Sequence, residues 1–66
     1  MTKASRLASA IKELTIAIEN KDKAAKALLS ATTEQARSAA SLELQKANAD
    51  AVIAQRKIEL IEAEPN

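Results

Sequence analysis

Ser30-Ala31-Thr32-Thr33-Glu34-Gln35 decides how this chain folds, because here small hydroxyl residues cluster in mid-sequence without an Ile or Leu. Thr32 followed three residues later by Gln35 matches a capping box: the Thr hydroxyl accepts from a free backbone N–H and the Gln side chain reaches back. Glu34 then falls in the first turn of a new helix, where the macrodipole favours an anion. The stretch predicts one helix ending and another beginning. The expected fold is all-α, a two-helix antiparallel hairpin with helices at about 3–30 and 33–63 and a turn at about 30–33, forming one helical module over residues 1–66. The alternative is a single long helix in a coiled coil, since nothing between 30 and 35 forbids helix and no Gly supplies the usual helix end.

Outward from the turn, helix is the only regular structure with local support. Gly is absent, the one Pro is at position 65, and Ala, Leu, Glu, Lys and Gln dominate. Before the turn, Leu7, Ile11, Leu14, Ile18, Ala25, Leu28 and Leu29 recur at three- and four-residue steps and predict one apolar face, with Lys21 and Asp22 intruding at its edge. After it, Ala40, Leu44, Ala47, Ala51, Ala54, Ile58 and Ile61 follow an unbroken four-three spacing. The small residues among them allow a second helix to approach closely. The expected seam therefore sets Leu7, Ile11, Leu14, Ile18 and Leu28 against Leu44, Ala47, Ala51, Ala54 and Ile58.

A further stripe, Leu42, Ala49, Ile53 and Leu60, lies on nearly the opposite side of the second helix, because two residues advance about 200° around the axis. A helix with two apolar faces calls for two neighbours. One is the first helix, and this stripe is the expected partner interface.

Charge supports the hairpin. Residues 1–33 carry six basic and three acidic side chains, and residues 34–66 four basic and six acidic. Lys3 and Arg6 lie at a helix start, and Glu59, Glu62 and Glu64 at a helix end, each of the wrong sign for its own macrodipole. Folding the chain at its middle brings the two groups together.

Composition narrows the function. Of the 66 residues, 16 are Ala and only 14 are Ile, Leu or Val, a thin core for an independent domain. His, Cys, Gly and all aromatics are missing, so there is no neutral-range proton carrier, thiolate, or Gly-rich phosphate loop. Glu59 and Glu62 share a helical face, but the Glu-x-x-His that accompanies such pairs in bundled metal sites is absent. The expectation is a non-enzymatic protein with no catalytic residue, cofactor or metal. Lys21, Lys23 and Lys26 form a short basic run that would serve a nucleic-acid binder. The net charge of +1 and the lack of stacking aromatics argue against that role. A membrane-surface helix is the other alternative, weakened by three acidic residues in the first half and the absence of Trp or Phe.

No apolar run approaches the length of a membrane span, and Lys12 and Glu13 interrupt any signal-like core. The expected location is cytoplasmic, or within a particle assembled there such as a virion. The expected partners are further copies of the chain or a larger protein assembly, as for a small accessory component of a phage or bacterial shell.

Overall fold

A threonine hydroxyl starts each helix. In the computed structural model, which describes residues 2–65, Thr2 opens α1 (Lys3–Ser30) and Thr33 opens α2 (Glu34–Glu62). Thr2 Oγ1 accepts from the Ser5 N–H at 3.1 Å, and Thr33 Oγ1 from the Ala36 N–H at 3.1 Å. Each hydroxyl satisfies one of the donors that a helix start leaves free. The two helices run antiparallel as an all-α hairpin, 51 Å long and 13 to 14 Å across by Cα positions.

The cap of α2 lies one residue later than the capping-box pattern suggests. With Thr33 as cap, Gln35 is the second helical residue rather than the third, so Ala36 takes the position from which a side chain would reach back. The reversal itself requires this shift. Ala31 (φ −68°, ψ 131°) and Thr33 (φ −115°, ψ 157°) are both extended, turning the chain before α2 can begin. The Ala31 N–H still donates to the Leu28 carbonyl at 3.4 Å. No described residue has positive φ, so α1 ends without the left-handed residue for which Gly is usually needed. Replacing Thr33 with Ala is expected to cost about 1 kcal/mol in urea unfolding followed by circular dichroism, and replacing Thr32 with Ala a few tenths at most. Equal losses would return the cap to Thr32.

The helices meet along alanines. Ala10, Ala17 and Ala24 of α1 and Ala40, Ala47 and Ala54 of α2 are the buried residues, each 2 to 7% exposed. Within each helix they recur every seven residues, the interval that returns to the same side of a closely packed neighbour. Half-buried residues interleave with them: Leu7, Leu14 and Leu28 on α1, and Leu44, Ala51 and Ile58 on α2. All seven residues of the α2 stripe, from Ala40 to Ile61, are buried or half-buried.

On α1 the expected seam needs correction. Ile11 and Ile18 are each 52% exposed, and the buried positions are their predecessors Ala10 and Ala17. One residue is about 100° of rotation, enough to move a side chain from the contact line to its flank. A β-branched Ile at the closest approach would hold the helices apart, whereas Ala facing Ala lets the backbones come together. Leu29, also assigned to that face, is 88% exposed.

Two ion pairs fix the register. Arg6 pairs with Glu64, and seven residues further along α1 Glu13 pairs with Lys57, itself seven residues before Glu64. The seam residues lie one place after the α1 members of these pairs and three places before the α2 members, which sets Leu14 level with Ala54, Ala17 with Ala51, Ala24 with Leu44 and Leu28 with Ala40, so at none of these levels do two large residues meet. The order of charges is reversed between the two pairs. A slip of seven residues would set Arg6 against Lys57 or Glu13 against Glu64, a like-charge contact in either direction.

Candidate interaction surfaces

The hairpin has two unlike flanks, one on each side of its alanine seam. The charged flank carries both ion pairs. At its open end, Arg6 Nη1 donates to Glu64 Oε2 at 2.8 Å while Nη2 donates to Oε1, a bidentate fork, and Lys3 Nζ donates to the Glu64 carbonyl at 2.7 Å. The cations at the start of α1 thus meet the carboxylate and carbonyls at the end of α2, relieving two unfavourable helix dipoles. Seven residues inward, Lys57 Nζ lies 3.0 Å from Glu13 Oε2. Between the helices runs a shallow groove of about 340 Å³, in which Ile16 and Ile53 flank Ala17 and are bordered by Glu13, Asn20, Asp50 and Lys57.

The hydrogen bonds from Arg6 hold the Glu64 carboxyl below its ordinary value near 4.5, against a smaller opposing effect of burial, and Glu64 in turn holds Arg6 above its ordinary value. Because the folded pKa of Glu64 is the lower one, the pair's contribution is complete above pH 4.5 and is lost as pH falls through the folded pKa. The wild-type chain is therefore expected to lose more stability between pH 7 and pH 3 than Glu64→Gln, measured by urea unfolding at each pH. Parallel losses in the two proteins would show that the fork contributes nothing.

The opposite flank is nearly free of charge. It presents Ala4, Ile11, Ile18 and Ala25 of α1 beside Ser41, Asn48 and Gln55 of α2, with Val52 on its outer edge and Asp22 on the rim. Leu7, Leu14, Leu28, Leu44 and Ile58 lean towards this side by their place in the seven-residue repeat, which is why they are half-buried while the alanines are covered. The signal for this surface was available in the sequence: the spacing Ala10, Ala17, Ala24 matches Ala40, Ala47, Ala54, and moves Ile11 and Ile18 off the seam.

The stripe expected as the partner interface is exposed but not straight. Leu42 and Ala49 occupy the back of α2, whereas Ile53 and Leu60 turn towards the charged flank, where Ile53 lines the groove. Leu42 is 64% and Leu60 56% exposed. Lys21, Lys23 and Lys26 are exposed as well, but they do not form one patch. Lys21 lies beside the seam, and Lys23, two residues on, points nearly the opposite way.

Among the described residues no acidic group has the composition of a metal site, and no helix is long and apolar enough to cross a membrane. Glu59 lies 3.6 Å from Arg56 on the same helix. No protein-family model, curated protein or solved structure matches this chain.

Proposed function

We propose that this chain is a non-enzymatic packing module, which uses its Ala, Leu and Ile helical faces to join copies of itself or a larger protein assembly. The observation that carries this reading is surface area. A compact monomer of 7.0 kDa exposes about 4,000 Å², whereas the hairpin exposes 5034 Å². The excess, about 1,000 Å², is more than the ~800 Å² that one partner contributes to a standard protein interface. Eight Ile, Leu and Val side chains stand well exposed, while among the described residues none larger than Ala is buried. A neighbour covering those side chains completes a core that two helices alone cannot close.

Leu42, Ala49, Ile53 and Leu60 belong to the packing surface in this reading. The setting is the cytoplasm or a particle assembled there, a virion accessory component being one such role. Nucleic-acid binding is the weaker reading, because Lys21, Lys23 and Lys26 diverge around α1 and five of the ten basic side chains sit on the acid-rich second half or in its ion pairs. Membrane-surface binding is weaker too, since the apolar side chains are spread over several faces rather than gathered on one.

Sedimentation of the full chain at low and moderate salt, alone, with duplex DNA and with anionic vesicles, tests the proposal. Association driven by apolar burial changes little with salt. The expected result is a helical oligomer in every condition, indifferent to DNA and vesicles. A DNA complex that dissolves on adding salt would overturn the proposal and make the lysines the site.

A further inference from the structure

The uncharged flank has a symmetry of its own. Along α1 it reads Ala4, Ile11, Ile18, Ala25 at seven-residue steps, the same forwards and backwards. Across from it on α2, Ser41, Asn48 and Gln55 continue the row without a charge until Glu62 at the open end. In the register above, which sets Leu14 level with Ala54, the midpoint of the α1 row, between Leu14 and Thr15, lies near the middle of the hairpin.

We infer that this flank docks a second copy of the chain, end over end, to make a four-helix bundle about a twofold axis at that midpoint. This rests on the packing role proposed above and names its partner and face. Under such a rotation α1 crosses antiparallel over its twin. Ile11 of one copy meets Ile18 of the other, and Ala4 meets Ala25, each contact occurring twice as a twofold interface requires. On α2 the same operation brings Val52 of one copy level with Gln55 of the other, both uncharged. The half-buried Leu7, Leu14, Leu28, Leu44 and Ile58 lean towards the same side and become the bundle core.

Charge and area both favour a copy over a foreign chain. A surface nearly free of charge, with Asp22 at its rim and Glu62 at its end, repels a twin little, whereas the other flank pairs Arg6 with Glu64 and Lys57 with Glu13 within the hairpin. The hairpin is 51 Å long and 14 Å wide by Cα positions, so one flank offers about 700 Å² before side chains are counted, close to the ~800 Å² per partner of a standard interface.

The chain has no cysteine, so single cysteines report the contact directly. Thr15→Cys places a thiol beside the axis, Leu42→Cys one on the back of α2, and Lys12→Cys one on the back of α1. On mild oxidation of the full chain at micromolar concentration, Thr15→Cys is expected to form a covalent dimer and the other two to remain uncrosslinked. Ile18→Lys should weaken self-association about a hundredfold by sedimentation while Ile18→Leu preserves it. The cysteine result stands even if Ile18→Lys fails to fold. Crosslinking through Leu42→Cys but not Thr15→Cys, in a chain that still self-associates, would overturn this face and leave the packing role intact. A fully helical monomer throughout would overturn both.

Discussion

Replacing Ala17 with Leu is expected to cost about 3 kcal/mol, the upper end for forcing extra methylenes into a packed contact. Ala17 is 3% exposed, and the register sets it level with Ala51, where neither helix contributes a large side chain. The backbones have no reason to stand apart there, so three added carbons must push the helices apart or leave the seam. Either route also disturbs the neighbouring levels, where Leu14 lies against Ala54 and Lys21 against Ala47. Ala49→Leu supplies the control, since Ala49 is exposed on the back of α2 and Leu is nearly as good a helix former as Ala. Urea unfolding followed by circular dichroism should show a large loss for Ala17→Leu and little change for Ala49→Leu. Similar effects at both positions would mean that the alanine row is not the line of closest approach.

The second large effect is a gain. Lys21 occupies the place in the seven-residue repeat that Leu7, Leu14 and Leu28 fill elsewhere, level with Ala47, which is 4% exposed. A lysine there can lay its methylene stem over the alanine only by keeping its ammonium in water, which limits the apolar area it covers. Lys21→Leu is expected to stabilise the chain by about 1 to 2 kcal/mol from added apolar burial, raising the melting temperature by roughly 4 to 8 °C per kcal/mol for a domain of this size. Lys23→Leu, on the outer surface, should raise it far less. If the two substitutions act alike, general hydrophobicity rather than seam position accounts for the effect.

Much of the hairpin was legible in the sequence because turn chemistry and charge agreed. The cluster from Ser30 to Gln35 marked the reversal, and the opposite signs of the two halves matched the ends that the structure joins through Lys3, Arg6 and Glu64. The cap was misplaced by one residue because the Thr32-to-Gln35 pattern considers only the new helix. The extended backbone at Ala31 and Thr33, needed to turn the chain, postpones its start. The seam was legible on α2, where its four-three spacing has no competitor. On α1, each buried alanine at 10 and 17 is followed by an isoleucine, and a reading weighted by hydrophobicity follows the larger side chain. Size is the property that decides at a close helix contact, and it favours the alanine. The Glu13–Lys57 pair depends on register, which emerges only once the two seven-residue repeats are aligned.

The displaced isoleucines carry the packing role proposed. Had Ile11 and Ile18 filled the seam, the hairpin would hold more of its apolar surface inside and need a neighbour less. With alanines there instead, the helices draw close and the larger side chains are left exposed on a flank. In the packing role proposed, tight pairing within the hairpin and association with a neighbour are two results of one placement.

That link between a thin internal core and association is tested most directly by dilution. Sedimentation equilibrium and circular dichroism should be recorded together on the full chain, from hundreds of micromolar down to the lowest concentration that gives signal. The account predicts a helical oligomer at micromolar concentration and a loss of helicity as it dissociates, because the separated hairpin lacks a closed core. A stable monomer that stays fully helical across the range would contradict it.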